Sequence, residues 1–458
     1  MIIHKRFSPY PAMGHQTSLD RRKHTSQAMK SFSVLMLLLS LLPVNTLTAK
    51  EPVIRVQIVS NLSRIALTPS GIWHARGCGA TLLPDGKEIV LTARDSLVHL
   101  QSGDLAMEET CLVLSAARDT GTLLIRDIPY GVGWWWEGKE DRRYEGELHV
   151  RVGRSGRLSV VNALPVEQYL RGVVPYEIGT APFEALRAQS VAARSEALAG
   201  LHNRLYAGEG YDICGDVDCQ VFGGITRITD TIDRAIRTTR GIILQSRGAP
   251  INAYFASNCG GHSEGIENVW PLRSGAQPYW SAHPDADTLV LDSLDDERVL
   301  RRWIEKGGAT YCNPETNPGL PDWSRRHWRW EVNTAADSLG LETESGAAAG
   351  RLLRIDSIRR GRSGRITSAV FVGERGSRRV SSELEFRQVW NPPLRSSCVV
   401  VTPQGPPNRP NRFHIEGAGW GHGVGMCQAG AVGMALAGKK AEQILRHYYP
   451  TAVVAPAY

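Results

Sequence analysis

Short runs in which apolar and polar residues alternate fill the first part of this chain. The clearest run is residues 53–59, with the sequence VIRVQIV. Such alternation is typical of strands with one buried face. Similar runs, separated by turns that contain Gly or Asp, occur at residues 88–91, 111–114, 121–125 and 146–152. Residues 51–160 are therefore predicted to be mostly β.

The next stretch, residues 161–203, joins a strand to an alanine-rich helix. The chain turns at Pro165, and a helix is expected to begin near Pro182. Its many alanines would allow another backbone to approach closely, and Gln189 and Arg194 lie off its apolar face, where they would line a groove or face water. That face repeats at helical spacing through Phe183, Leu186, Ser190, Ala193, Ala197 and Leu201.

Glu177 lies between the strand and the helix, among apolar and turn-forming residues. A carboxyl group in such surroundings can have its pKa raised and keep a proton near neutral pH, as a general acid requires. The alternative is a solvated loop carboxylate, because most glutamates are exposed. The local sequence alone favours that alternative.

The rest of the chain alternates between short helices and strands. Gly241 would end one helix, and Gly248 would lie in a hairpin between two strands. Arginines at residues 351–379 would contact an anionic polymer or form a solvated face. The pattern predicts helices at residues 228–236, 431–438 and 441–447, and strands at residues 242–245, 251–255, 352–359 and 366–372.

Two segments are rich in glycine. Residues 259–270, CGGHSEGIENVW, place paired glycines beside His262 and Glu264, which indicates a tight functional loop or a turn with solvent-facing polar groups. Residues 417–431, GAGWGHGVGMCQAGA, have glycine at every second position from 417 to 425. This spacing predicts positive φ angles and a backbone that passes close to a ligand or to another segment.

Three adjacent tryptophans, Trp134, Trp135 and Trp136, suit a surface that stacks on sugar rings. In a strand, however, neighbouring side chains point to opposite faces. Packing in the core and at an edge is therefore an equal alternative.

The composition narrows the compartment and the ligand class only slightly. The chain has 458 residues, enough for two or three domains, and its 42% hydrophobic and 22% charged residues are ordinary for a globular protein. A net charge of +7 favours an acidic polymer, such as nucleic acid, anionic lipid or cell-wall polymer. The sequence has no zinc-finger spacing, phosphate-binding glycine loop or RNA-stacking motif, which argues against nucleic acid.

The N-terminal segment resembles a secretory signal. Residues 32–42, FSVLMLLLSLL, follow Lys30 and precede a small-residue site, so cleavage is expected after Ala49. The segment before them is polar, and translation from Met29 would give a conventional signal. An uncleaved membrane anchor is the alternative, and no other stretch of the sequence looks transmembrane. The protein is therefore expected to be secreted or periplasmic.

Eight cysteines in an exported chain indicate disulfides rather than free thiols. Cys214 and Cys219, five residues apart, suit a small disulfide loop or two thiolate ligands of a zinc site. An oxidising compartment favours the disulfide. The other candidate ligands of such a zinc site are His202, Asp212 and Asp216.

Four separated motifs resemble, in the same order, the family of stage II sporulation protein D and the related LytB-type proteins. The resemblance covers residues 53–450 and is strongest at residues 161–203 and 417–450. The motifs are VNALPVEQYLRGVVPYEI with EALRAQSVAARSEAL, DICGDVDCQVFGG, CGGHSEGIENVW, and GWGHGVGMCQAGAVGMALAGKKAEQILRHYYP.

This resemblance implies a lytic transglycosylase, which cleaves peptidoglycan glycan strands and leaves 1,6-anhydro-muramic ends. The family's catalytic glutamate lies in a Pro-Ser-Glu-Met segment, so Glu177 is expected to act as the general acid and then as the base. Tyr176 and Ile178 depart from the family pattern. Candidates for binding the glycan are Gln189, Arg194, Gln220, His262, His422 and Gln428 as polar groups, and Trp270 and Trp420 as stacking groups.

No cofactor is required for this chemistry. Some family members bind zinc through the Cys–Cys loop and a nearby histidine, but a histidine at that spacing is not evident here, so zinc at Cys214 and Cys219 stays an open alternative. Cys427 stands where many members have serine. The resemblance suggests Cys259 as its disulfide partner, because both lie in family loops.

The predicted fold class is α+β, with a mostly β N-terminal part and insertion, and with the alanine-rich helix and short helices lining a central glycan groove. The expected partners are peptidoglycan glycan strands and an amidase, with no nucleic acid and with membrane contact only through an uncleaved signal. The predicted parts are a signal peptide (1–49), an N-terminal β-rich part (50–160), the first half of the catalytic core (161–283), a β-rich insertion (284–412) and the C-terminal part of the core (413–458).

Two other functions compete with the lytic transglycosylase. A non-enzymatic wall-binding protein that activates a separate amidase would use the same groove without cutting the glycan, and LytB-type members carry that description. A metallohydrolase that uses His422 and the pair Cys214 and Cys219 is the weaker alternative. It lacks a His-Glu-x-x-His type of cluster.

Overall fold

The first part of the chain consists of strands that bury one face, as the sequence pattern predicts. In β1 (Val53–Leu62) the side chains of Ile54 and Val56 are fully buried, whereas Val53 and Arg55 face outward. Full burial of such an aliphatic side chain stabilises the fold by about 1.5–3 kcal/mol. The further strands of this part are β2 (Arg64–Ser70), β3 (Trp73–Arg76), β4 (Ala80–Leu83), β5 (Ile89–Arg94), β6 (Leu97–Ser102), β7 (Leu105–Glu109), β8 (Cys111–Ala116), β9 (Thr122–Tyr130), β10 (Gly138–Tyr144), β11 (Glu147–Val152) and β12 (Leu158–Pro165).

The structure is a computed structural model, which describes residues 50–118, 120–271, 277–288, 291 and 293–458. The predicted signal segment lies outside these described residues. Residues Glu51–Ala457 cluster as one compact unit. Within the described part of the chain, no helix is both long enough and apolar enough to cross a membrane.

Two helices follow the last of these strands. They are α1 (Val166–Glu177) and α2 (Phe183–Asn203). Helix α2 begins next to Pro182, as predicted. Helix α1 was not predicted, because its sequence contains Gly172 and Pro175, two residues that disfavour a helix interior. Gly172 is needed there, since a Cβ atom at this position would overlap the ring of Phe222.

The remaining elements include the predicted helices at the C-terminus and the predicted strand pair around residue 360. In chain order they are β13 (Ile213–Cys214), α3 (Asp230–Thr238), β14 (Ile242–Ser246), β15 (Ala249–Pro250), β16 (Phe255–Ala256), α4 (Ile266–Val269), α5 (Glu297–Lys306), α6 (Asp322–Trp328), β17 (Arg329–Ala335), β18 (Leu352–Arg360), β19 (Ile366–Gly373), β20 (Gly376–Val380), α7 (Glu383–Gln388), β21 (Val399–Gln404), β22 (Arg412–Ala418), β23 (Met426–Cys427), α8 (Gln428–Leu436), α9 (Ala441–Tyr448) and β24 (Val453–Pro456).

The hairpin predicted around Gly248 is shorter than expected. Strand β15 ends at Pro250, and residues 251–254 have no regular structure. The other edge of β14 instead pairs with β24 from the C-terminus, where Ile243 lies opposite Ala455. The sequence pattern gave no signal for this long-range pairing.

The strands form two large sheets, antiparallel except for the parallel pair of β1 and β13, and several small ones. The α+β class with a mostly β N-terminal part is therefore confirmed. The first sheet has the order β13-β1-β12-β11-β8-β3-β4, and the second has the order β10-β9-β2-β5-β6-β7. Strand β1 pairs with β12 on one side and with β13 on the other, so that Val56 faces both Asn162 and Ile213. The sheet thus holds the start of α1 and the loop after β13 close to each other.

Helix α2 lies at the centre of the core that follows these sheets. It packs against α1, α3, α8, α9 and β14. The middle of the predicted apolar face is buried, whereas Phe183 and Leu201 at its two ends are half-buried. Residues off that face are buried as well, because neighbouring elements surround the helix. Gln189 and Arg194 are both fully buried, which corrects the alternative that they face water.

A buried ion pair ties α2 to α1. Arg194 donates from Nε and Nη2 to the two carboxylate oxygens of Glu167, at 2.9 and 2.7 Å. Arg194 also donates to the carbonyl of Ile242, and Glu167 accepts from the backbone N–H of Gly241. These bonds join α1 and α2 to the turn between α3 and β14.

Replacing Glu167 by alanine should destabilise the fold strongly, because Arg194 would remain buried without its carboxylate. The expected loss in the free energy of unfolding is about 3–5 kcal/mol, measured by urea denaturation. The control is Arg126→Ala, which removes an exposed pair with Asp141 and should cost less than about 1 kcal/mol. Equal losses in the two variants would contradict a structural role for the buried pair.

Candidate active site

Glu177 is the last residue of α1, and its half-buried carboxylate faces the loop after β13 and the start of α8. Its Oε1 accepts a hydrogen bond of 2.7 Å from the backbone N–H of Val221. Its Oε2 lies 3.4 Å from Nε2 of Gln428, the first residue of α8. Three distant parts of the sequence therefore meet at one carboxyl group.

Burial raises the pKa of the Glu177 carboxyl to about 7, and the hydrogen bonds from Val221 and Gln428 offset part of that rise. The carbonyl end of helix α1 also disfavours a negative charge at this position. Near neutral pH the group is therefore divided between its protonated and ionised forms. A carboxyl in that state can both give and take a proton.

Two other predicted glutamines lie beside this carboxyl group. Gln428 donates to Oε1 of Gln189, at 3.4 Å, which links α8 to α2. Gln220, the neighbour of Val221, donates from Nε2 to the carbonyl of Ala193 at 3.2 Å. All three glutamines are buried, so they fix the walls around Glu177.

The structure explains why tyrosine can stand at position 176, where the family pattern has serine. Its ring lies over Gly223, where a Cβ atom would overlap it. The guanidinium carbon of Arg227 lies 4.3 Å from the ring centroid, and that of Arg142 lies 5.4 Å from it, in cation–π contacts. Ile178 is buried and continues the core after the helix. The sequence did not single out Gly223 and Arg227, because their role depends on how they fit against the ring of Tyr176, which is distant in the sequence.

Trp420 belongs to a tryptophan cluster that consists of Trp134, Trp135, Trp136 and Trp420. The first three lie in the turn between β9 and β10. The alternative that they belong to a strand, with side chains packed in the core and at an edge, is therefore wrong. The rings of Trp135 and Trp136 have centroids 5.5 and 5.6 Å from that of Trp420. Trp135 is 40% exposed, so the cluster offers an aromatic face to solvent.

Trp270 and His422 form a second aromatic contact, with ring centroids 4.8 Å apart. Nδ1 of His422 accepts a hydrogen bond of 3.0 Å from the backbone N–H of Val424. Trp270 also packs against Tyr254, with a centroid distance of 4.9 Å. Both Trp270 and His422 remain half-buried, so each presents part of its ring to solvent.

His262 and Arg194 are placed differently, since both are enclosed by protein. The segment that contains His262 is a loop with buried, hydrogen-bonded polar side chains, and not a turn with solvent-facing groups. Glu264 is fully buried and accepts hydrogen bonds from Ser363 Oγ at 2.6 Å and from Asn268 Nδ2 at 2.9 Å. His262 and Arg194 therefore hold the fold together, and neither side chain faces the carboxyl of Glu177 through a described hydrogen bond.

The glycine-rich segment at residues 417–431 approaches other backbone. Gly419, Gly421, Gly423 and Gly425 all have positive φ angles, as predicted. A Cβ atom at Gly419 would overlap the carbonyl of Asn258, and one at Gly425 would overlap that of Tyr254. Close contact with residues 254–260 thus explains Gly419 and Gly425, whereas a Cβ atom at Gly423 would overlap the guanidinium group of Arg365. Gln428 lies near the end of this segment.

Cys214 and Cys219 form a disulfide, as the oxidising compartment suggested. Of the additional ligands considered for zinc at this loop, Asp212 pairs with Arg55 at 2.8 Å. The pairing suggested for Cys259 and Cys427 is wrong. Both remain free thiols in the described structure, although the backbone N–H of Cys259 lies 3.2 Å from Sγ of Cys427.

Two family models match parts of the chain. The model described as Stage II sporulation protein matches residues 154–245, which contain α1, Glu177 and α2. A model described as a domain of unknown function matches residues 264–425, which contain the predicted insertion.

The chain is also similar to three curated proteins, one of which shares its name with the first of these models. An uncharacterized protein of Brachyspira hyodysenteriae is 29% identical over 67% of this chain and 70% of its own length. Stage II sporulation protein D of Bacillus amyloliquefaciens is 26% identical over 68% of this chain and 80% of its own length. The amidase enhancer of Bacillus subtilis is 27% identical over 61% of this chain, but the match spans only 39% of that longer protein.

The contact between Tyr176 and Gly223 gives a direct test of the site geometry. Gly223 has a φ angle of −101°, which alanine adopts without strain, so the effect of Gly223→Ala would come from overlap with the tyrosine ring. We expect this substitution to cost about 1–3 kcal/mol of stability in thermal unfolding. In a Tyr176→Ser background the same substitution should cost less than about 0.5 kcal/mol. An equal cost in both backgrounds would contradict the placement of Tyr176.

Proposed function

Because the chain belongs, through residues 154–245, to the family of stage II sporulation protein D and the amidase enhancer, we propose that it is a lytic transglycosylase of peptidoglycan. It cleaves the bond between N-acetylmuramic acid and N-acetylglucosamine in glycan strands. Glu177 acts first as the general acid and then as the general base.

The observation that carries this proposal is the carboxyl group of Glu177, with its pKa raised to about 7. Hydrolytic glycosidases usually need two carboxyl groups, one of which activates water or attacks the sugar. A lytic transglycosylase can work with one, because the nucleophile is a hydroxyl group of the substrate. A single carboxyl that gives and takes a proton near neutral pH is suited to that reaction.

The reaction proceeds through two proton transfers at Glu177. The protonated carboxyl donates its proton to the glycosidic oxygen, and the bond from that oxygen to C1 of the muramic residue breaks. The resulting carboxylate removes the proton from the C6 hydroxyl of the same residue, whose oxygen bonds to C1. The product is a 1,6-anhydro sugar, and neither water nor an enzyme nucleophile is consumed.

The geometry of the attack comes largely from the substrate, because both reacting groups belong to one sugar ring. The substrate's own N-acetyl group contributes to stabilising the positive charge that develops at C1. The protein's part is to hold the carboxyl. The N–H of Val221 and the amide of Gln428 fix its two oxygens.

The glycan would lie along a groove that passes Glu177. The exposed face of the tryptophan cluster and the half-exposed rings of Trp270 and His422 are the surfaces that would stack on sugar rings. The net charge of +7 favours an anionic wall polymer. Export through the N-terminal segment would deliver the protein to the cell wall.

A second function follows from the name of one relative, the amidase enhancer. In that case the same aromatic surfaces bind glycan, and the protein stimulates a separate amidase without cutting the strand. The two functions make opposite predictions for the strand ends.

Digestion of purified glycan strands tests the proposal. Both intact strands and strands stripped of stem peptides are incubated with the protein, and the ends are analysed by mass spectrometry. The wild type should produce 1,6-anhydro-muramic ends, and Glu177→Gln should lose at least about a hundredfold in rate. The matched control Glu88→Gln, at an exposed glutamate, should keep full activity.

If the wild type produces no anhydro ends on either kind of strand, the lytic transglycosylase proposal is wrong. Stimulation of an added amidase by both the wild type and Glu177→Gln would then support the second function.

The pH dependence of cleavage provides a further prediction. The protonated form of Glu177 starts the reaction, so kcat/KM should fall as pH rises through about 7, by about tenfold per pH unit. The amide of Gln428 favours the ionised carboxylate. Gln428→Leu should therefore raise the pKa and move this decline to higher pH.

The control for the pH profile is Gln388→Leu at an exposed glutamine, which should leave the profile unchanged. A decline that stays at the same pH in Gln428→Leu would show that Gln428 does not influence the protonation of Glu177.

A further inference from the structure

Three cysteines and one aspartate from separate parts of the chain meet next to the start of α8. Cys259 follows β16, Asp285 and Cys312 lie on either side of α5, and Cys427 precedes α8. The three sulfur atoms and a carboxylate oxygen all lie within 4.8 Å of one another. None of the four residues is more than 2% exposed.

We propose that Cys259, Asp285, Cys312 and Cys427 bind a structural zinc ion. Zinc in such sites is tetrahedral, with Zn–S distances of about 2.3 Å. Two thiolates on one zinc ion are therefore about 3.8 Å apart. The sulfur atoms of Cys259 and Cys312 are 3.7 Å apart, whereas a disulfide would bring them to about 2.05 Å.

The donor set fits a structural site rather than a catalytic one. Three thiolates and one carboxylate complete four-fold coordination and leave no position for water or substrate. The burial of all four residues also keeps solvent away from the ion. Such a site contributes to the stability of the fold, because the unfolded chain does not hold the ligands together.

The atoms around the four ligands are arranged as in known metal sites, where a second layer of hydrogen bonds orients each ligand. Sγ of Cys427 accepts from the backbone N–H groups of Cys259 and Gly430, at 3.2 and 3.3 Å. Asp285 accepts from the N–H of Cys312 at 2.9 Å and from the hydroxyl of Tyr448 at 2.5 Å. These donors favour the ionised forms that metal binding requires.

Two arginines place positive charge beside the cluster. The four ionised ligands carry more negative charge than a divalent cation neutralises, so nearby cations stabilise the site. Arg365, which is fully buried, donates to the carbonyl of Cys259 at 3.3 Å. Arg329 donates to the carbonyl of the next residue, Gly260, at 3.2 Å.

This site differs from the Cys214–Cys219 loop, whose sulfur atoms are already joined. It fastens the segment between β16 and β17 to the start of α8, where Cys427 is the neighbour of Gln428. The zinc ion would thus hold the residue that contacts Glu177. The assignment itself does not depend on the proposed function, because it rests on the ligands alone.

Metal analysis of the full chain tests this proposal. Protein purified without chelator should contain about one zinc ion per chain, measured by inductively coupled plasma mass spectrometry. A mercurial reagent titrated into native wild type should release that zinc as three thiols react, which requires no variant to fold. The denatured, unreduced protein should show six free thiols.

Variants assign the ligands. Cys312→Ser and Cys427→Ser should each lower the zinc content at least tenfold. Cys398→Ser, at a buried cysteine outside the cluster, should retain it. Wild-type protein without zinc that shows only four thiols would overturn the proposal, because two of the three cysteines would then form a disulfide. Zinc that persists in Cys312→Ser and Cys427→Ser would overturn the ligand assignment.

Discussion

A helix that is surrounded on nearly all sides is the constraint on which the core of this protein depends. Helix α2 can occupy that place because its many alanines let neighbouring elements on several sides approach its backbone. Because the charge of Arg194 is buried inside this packing, it needs the carboxylate of Glu167 on α1 as its partner. This pair fixes α1 against α2, and α1 ends at Glu177. The packing of α2 therefore determines the position of Glu177, although Glu177 belongs to α1.

The surroundings of Glu177 are completed from the other end of the chain. Gly419 and Gly425 allow the glycine-rich segment to lie against residues 254–260, and the segment leads into Gln428 at the start of α8. The carboxyl of Glu177 is thus enclosed by elements more than 200 residues apart, and burial is the main reason that its pKa rises. The inferred zinc ion would hold the same segment through Cys427.

Local pattern predicted much of this architecture, and its failures have physical causes. Strand alternation, the start of α2 and the final helices were predictable, because each depends on neighbouring residues. Helix α1 was not, since Gly172 and Pro175 disfavour a helix in the local sequence. Gly172 is required by the ring of Phe222, a contact between distant parts of the chain. The identity of Glu177 as a candidate came from the order of distant motifs. The buried roles of Arg194 and His262, and the meeting of Cys259 with Cys312, depend on long-range packing that no local pattern encodes.

The proposed mechanism requires that the fold raise the pKa of the Glu177 carboxyl to about 7, so that part of the protein carries the protonated acid near neutral pH. Difference infrared spectroscopy, in which the Glu177→Gln spectrum is subtracted from that of the wild type, follows the C=O stretch of this one carboxylic acid during a pH titration. The midpoint is expected near pH 7, because burial raises the pKa of this carboxyl to about 7. A midpoint near the ordinary glutamate value of about 4.3 would contradict it, because Glu177 would then be ionised at neutral pH and unable to start the reaction.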